Sequence, residues 1–199
     1  MAVLLGATLS AQLVLFCFTG VSLLAPAHRV WPPPSRSSWQ FYATWILSWL
    51  SLSGVFLLAL FGENSLGLPV WLRLGAGPPL LVAGVFLIAW GFRELSVRTS
   101  LGMDGNFIRT GPYRFTRNPQ YAGTCAYLAS LVFLSGSHLA AIGAFAVALW
   151  FVATPFVEEP WLAQKFGEEY EAYCRVVPRF VGGRGLVATR AADGSSPIR

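Results

Sequence analysis

The sequence predicts an all-α, multi-pass membrane protein with about five transmembrane helices and a cytosolic amphipathic C-terminal helix. Three observations carry that expectation. Of 199 residues, 55% are hydrophobic and only 12% are charged, whereas soluble domains carry roughly 25% charged residues. Residues 1–27, 37–62 and 118–157 contain no Asp, Glu, Lys or Arg. Finally, 13 of the 14 Lys and Arg fall in 25–40, 93–117 and the region after 158. Five spans put those three regions on one side. By the positive-inside rule that side is cytoplasmic, with the N-terminus outside and the C-terminus inside.

The first span is expected at 3–24. It lacks the basic stretch of a signal peptide and exceeds the usual length of its apolar part, so a retained helix is expected. Pro26 and Pro32-Pro-Pro34 break it. The second span is expected at 41–61, with Trp39, Tyr42 and Trp45 as interface anchors. Residues 62–69 make a turn. The third span is expected at 71–92. Its Gly75-Ala-Gly77 followed by Pro78-Pro79 reads as close helix packing in a membrane rather than as a phosphate loop.

The longest polar segment between spans is 93–117, with turns at Gly102-Met-Asp-Gly105 and Gly111-Pro112. The charge-free run 118–157 is 40 residues long. As one helix it would measure ~60 Å, twice the ~30 Å hydrocarbon core. It must fold back, and Ser135-Gly-Ser-His138 is the expected turn. Spans four and five are then 121–135 and 139–157. After them, Leu162, Phe166, Tyr170 and Tyr173 recur on one helical face. Gly167 weakens that helix by ~1 kcal/mol relative to Ala and permits a break into two. The organisation is therefore 1–92 as N-terminal transmembrane helices, 93–180 as a core with the helical hairpin, and 181–199 as a flexible tail.

The three cysteines, Cys17, Cys125 and Cys174, have no metal or disulfide spacing and read as packing residues. His28 and His138 fall in separate loops. Neither a metal nor a nucleic-acid partner is expected.

The hairpin returns its second end to the level of its first. It brings Arg114, Arg117, Asn118 and Tyr121 near Glu158 and Glu159. Adjacent carboxylates on a helix point ~100° apart, so one can face a ligand while the other orients an arginine. Guanidinium groups hold carboxylates by paired hydrogen bonds. Tyr113, Tyr121, Tyr170 and Tyr173 can wall a pocket for a flat ring. Pro119 after Asn118 suits a helix start, and Gly123 lets another helix approach.

Gly111-Pro-Tyr-Arg114, Arg117-Asn-Pro-Gln-Tyr-Ala-Gly123, Glu158-Glu-Pro-Trp-Leu162, Phe166-Gly-Glu-Glu-Tyr-Glu-Ala-Tyr173 and Val177-Pro-Arg179 resemble the isoprenylcysteine carboxyl methyltransferase and phospholipid methyltransferase superfamily, over about 93–180. The resemblance implies S-adenosylmethionine as methyl donor, bound on the cytosolic side. It also implies a substrate tunnel facing lipid and a lipidic or small hydrophobic acceptor, methylated at a carboxylate or an amine. Arg117, Asn118, Pro119 and Tyr121 match its Arg-His-Pro-x-Tyr motif, and Glu158 and Glu159 match its Glu-Glu pair. With Tyr170 these are the expected cofactor-binding residues; Arg114, Arg117 and Glu158 are the expected catalytic ones. Asn118 departs from the His of many members and cannot titrate near neutrality. The alternatives are a sterol-type membrane reductase using reduced nicotinamide dinucleotide phosphate and a non-catalytic membrane scaffold of the same fold.

Overall fold

The protein is described by a computed structural model covering residues 1–95 and 107–180 in full and the backbone of 96–100. The expected turn at 102–105 and the expected flexible tail from 181 lie outside the described residues.

The described chain is built from α1 (Ala2–Leu24), α2 (Trp39–Leu60), α3 (Val70–Ser100), α4 (Pro119–Ser135), α5 (His138–Ala153), α6 (Pro155–Phe166) and α7 (Glu168–Val176). Punctuation residues set their ends. α1 stops at Ala25, before Pro26. The Ser38 hydroxyl accepts from the Phe41 N–H at 3.3 Å and starts α2. Pro119 occupies the first turn of α4. The hairpin turn falls at the expected place: Gly136 adopts a left-handed conformation (φ 66°) that a side chain would strain. Ser137 then caps α5, accepting from the Ala140 N–H at 3.4 Å.

Two expectations need correction. The helix of the third span does not end near Phe92, because α3 runs on through the start of the polar segment to Ser100. Its extension serves as a docking rail: Glu94 accepts from the Thr110 hydroxyl at 2.8 Å. Pro78 and Pro79 sit inside α3 without ending it, as neighbouring groups in a membrane helix allow. The second correction concerns the C-terminal helix. α6 follows α5 directly through Thr154, so the C-terminal helix starts at Pro155, ahead of the glutamates, and Glu158 lies in its first turn. The break that Gly167 permits is present, its φ of 55° stopping α6 and starting α7, and Leu162, Phe166, Tyr170 and Tyr173 still pack in one cluster.

Four helical stretches are long and apolar enough to cross a membrane: Ala2–Leu24, Trp39–Leu60, Val70–Leu95 and His138–Phe166. α4 has 17 residues, about 25 Å of helix.

α1, α2, α4 and α5 share one core, centred on Leu15, Val55, Leu128, Val147 and Phe151. Trp150 of α5 donates from Nε1 to the Thr19 hydroxyl of α1 at 2.9 Å. α3 lies outside this core and packs along α4. The contact is backbone on backbone: a Cβ on Gly84 would come 2.7 Å from the Gly123 carbonyl oxygen, and one on Gly123 would come 2.8 Å from that of Gly84. Gly123 thus has the role its spacing predicts.

The bundle has two different ends. At one, the 61–69 turn meets the hairpin turn, with Leu66 N–H donating to the Gly136 carbonyl at 2.9 Å. Arg73 closes the end of α4 there, donating from Nε and Nη2 to the Leu134 carbonyl at 3.0 and 2.6 Å. At the other end, the 25–38 loop, residues 107–118 and the chain from Glu158 to Phe180 converge. These contain the basic-rich segments that sequence counting placed together.

Candidate functional site at the polar end of the bundle

The two glutamates point apart, as adjacent helix positions require, and each organises its own cluster. Glu159 takes a forked pair of hydrogen bonds from Arg179, Nε to Oε1 at 2.8 Å and Nη2 to Oε2 at 2.6 Å. Arg117 adds an ion pair at 3.5 Å. The Glu159 side chain is only 14% exposed, so the paired geometry matters more than it would on a surface. The Arg179 guanidinium also lies 4.0 Å from the Phe156 ring centroid, within cation–π range. The hydrogen bonds to Glu159 raise the Arg179 pKa above its ordinary value.

Residues 116–118 and 178–179 are stitched together. Arg117 N–H donates to the Pro178 carbonyl at 2.9 Å. The Thr116 hydroxyl and Asn118 Nδ2 both donate to the Arg179 carbonyl, at 3.1 and 3.0 Å. Asn118 therefore holds the C-terminal segment in place through its amide nitrogen. This requires a donor and no titration, which suits an Asn in the motif's His position.

Glu158 faces the other way. Its Oε1 accepts from the Tyr121 hydroxyl and from Trp31 Nε1, both at 2.5 Å. Trp31 is the residue that sequence reasoning missed. Its signal was present: a tryptophan directly before three prolines, in a loop counted onto the same side as Glu158. The helix break at Pro26 brings that loop back over the bundle end, and Val30 and Trp31 N–H groups both donate to the Ser22 hydroxyl.

A third cluster lies under α6 and α7. Tyr170, Tyr173 and Val177 are buried together. Phe107 joins them, stacked on Phe166 at 5.3 Å and edge-on to Tyr173 at 5.2 Å. The Tyr173 hydroxyl donates to the Tyr113 carbonyl at 2.7 Å. Burial pushes the phenols of Tyr113, Tyr170 and Tyr173 above their ordinary range, so all three remain neutral. Arg117 touches Cys174 and leaves its own Nε buried without a hydrogen-bond partner. Arg114 is exposed and makes no bond to either glutamate.

Beyond Glu158 and Tyr121 opens an apolar cavity of about 520 Å³ between α2, α3, α4 and α5. α2 and α3 hardly touch one another, and the cavity separates them. Trp49, Phe56 and Val85 in its wall are also 63%, 44% and 50% exposed at the bundle surface, so it opens sideways between these two helices. Trp45, expected as an interface anchor, instead lines this cavity, while Trp39 and Tyr42 are exposed.

A family model described as phospholipid methyltransferase matches residues 72–169. Residues 72–169 are thus similar to a family of the integral membrane methyltransferase superfamily. The match runs from α3 through the hairpin to α7 and includes Arg117, Tyr121, Glu158 and Glu159. It confirms the superfamily resemblance carried by those motifs. No curated protein and no solved structure shows significant similarity to the chain. The protein is an integral membrane protein, with helices of spanning length and the character of the matched family in agreement.

Proposed function

We propose that this protein uses S-adenosylmethionine to methylate a lipidic or small hydrophobic acceptor that reaches the site from the bilayer. The observation that carries the proposal is the adjacency of Glu158 and Tyr121 to a laterally open apolar cavity within the family-matched region. In this reading α4 crosses the bilayer as the fifth span, and the polar end of the bundle is cytoplasmic.

The residues present fit such a donor. Arg117 has a buried guanidinium N–H with no partner, suited to a carboxylate. Glu159 uses two acceptor positions on Arg179, and a carboxylate offers about four, which leaves room for an ammonium or ribose hydroxyls. Asn118 and Pro119 hold the segment that presents Arg117. Tyr170 contributes a neutral aromatic wall. When bound, the donor supplies an electrophilic methyl group on a sulfonium, already activated.

The chain's own work is therefore alignment and proton handling. The cavity orients an acceptor with its reactive end toward Tyr121. An acceptor hydroxyl or amine releases its proton to Glu158, directly or through the Tyr121 hydroxyl. The tryptophan-lined wall excludes water during transfer. Glu158 would repel a carboxylate acceptor, so the site suits protic acceptors better.

Calorimetric titration of the detergent-purified protein tests the donor. Saturable binding of S-adenosylmethionine, with none of reduced nicotinamide dinucleotide phosphate, is the expected result. The reverse result would overturn the proposal in favour of a reductase.

A further inference from the structure

The wall of the cavity carries a polar feature that the methyl-transfer reading does not use. Buried helix hydroxyls in this protein ordinarily donate to the carbonyl four residues earlier. Thr8, Ser48, Thr124, Ser135 and Thr154 all do so, at 2.7–2.9 Å. Thr44 does not. It is 2% exposed, and its Oγ1 has no hydrogen-bond partner. The next residue, Trp45, also buries its Nε1 without a partner. Both residues line the cavity.

Their neighbours in the wall are differently placed. Ser48 and Thr124 donate to backbone carbonyls, Tyr121 and Trp31 donate to Glu158, and Trp150 donates to Thr19. Gln12, Ser51 and Arg117 also bury unpartnered polar atoms but do not line the cavity; within its wall the orphaned pair sits at one place, beside Trp31, whose ring centroid is 6.4 Å from that of Trp45. That is the Glu158 end of the cavity. A buried polar group without a partner is destabilising, and an indole N–H can only donate. The missing partner must therefore offer an acceptor oxygen.

Charge narrows the class further. Among the described residues lining the cavity there is no Asp, Glu, Lys or Arg. A phosphate or carboxylate at Trp45 would be desolvated without a counter-charge and would stand near Glu158. The volume of about 520 Å³ is that of a pocket for one drug-sized molecule. We infer that the cavity selects an uncharged, single-chain or single-ring apolar acceptor whose neutral oxygen accepts hydrogen bonds from Trp45 Nε1 and Thr44 Oγ1, rather than a two-chain phospholipid. The inference rests on reading the cavity as the acceptor site.

The test is equilibrium binding of tritiated methyl pentadecyl ketone to the full chain in phosphatidylcholine nanodiscs. Heptadecane, palmitate and dipalmitoyl phosphatidylethanolamine serve as competitors. Ketone binding should be saturable, and palmitate and the phospholipid should compete less well than unlabelled ketone. Trp45→Phe and Thr44→Val should each weaken the ketone about three- to tenfold, the range of one lost hydrogen bond, while leaving competition by heptadecane unchanged. Tighter binding of the phospholipid or palmitate, ketone affinity unaltered in both variants, or equal losses for ketone and heptadecane would each overturn the inference. S-adenosylmethionine binding is measured on the same samples. Donor binding without ketone binding overturns this inference alone. Ketone binding without donor binding overturns the methyl-transfer reading and leaves the cavity's selectivity standing.

Discussion

Trp31 Nε1 donates to the Glu158 carboxylate at 2.5 Å, joining residues 127 positions apart in the chain. The bond makes the first interhelical loop part of a site otherwise built from the C-terminal half. Trp31→Phe keeps a ring and removes the donor, leaving Tyr121 as the remaining side chain bonded to Glu158. Turnover should fall about tenfold, the weight of one hydrogen bond, with the affinity for S-adenosylmethionine unchanged. Parallel assays of methyl transfer and donor binding check it. Equal losses in both would mean that Trp31 supports the whole polar end.

The Glu159–Arg179 fork predicts strong coupling. Glu159→Gln and Arg179→Ala should each lower the midpoint of thermal unfolding, and the double variant should lose little more than either single one. A coupling of about 1–3 kcal/mol is expected for a half-buried paired charge. Additive losses would show that the two side chains act independently.

Asn118 predicts an asymmetry between two conservative changes. Asn118→Asp replaces the Nδ2 donor by an acceptor facing the Arg179 carbonyl, whereas Asn118→His can still present an N–H. The Asp variant should release residues 177–180 to limited proteolysis, and the His variant should remain protected. Equal protection of both would remove Asn118 from the clamp.

The α3–α4 contact predicts opposite behaviour for two glycines of one helix. Gly84→Ala places a Cβ 2.7 Å from the Gly123 oxygen and from the Tyr127 nitrogen. Both are backbone atoms, so the helices must separate, at a cost of about 1–3 kcal/mol. Gly75→Ala meets nothing within 4 Å and should cause no loss. Thermal unfolding in matched detergent compares them.

Much of this arrangement was legible from residue patterns. A charge-free run too long for one crossing, with a Gly flanked by serines at its middle, fixed the hairpin. Adjacent glutamates had to diverge, and they do. What could not be read was the identity of their partners. Arg179 ended the Val177-Pro-Arg179 motif without a partner assigned to it, and its fork to Glu159 lies beside the backbone bond from Arg117 to Pro178. Trp31 lay outside every motif, because a bond across 127 positions leaves no periodic trace. The reach of α3 was misjudged for a related reason. Arg93 and Glu94 mark the end of an apolar stretch, but a helix continues in water if tertiary partners hold it, and Thr110 supplies one.

The stitch between Arg117 and residues 178–179 bears on how the protein is made. A ribosome delivers Trp31 and Arg117 to the membrane well before Arg179 has been translated. During that interval Glu159 lacks its Arg179 fork, and the 116–118 segment lacks its bonds to residues 178–179. The centre is therefore completed by the segment after α7 rather than by the hairpin. Any frameshift or premature stop ahead of Pro178 removes that stitch and the Arg179 fork to Glu159 with it.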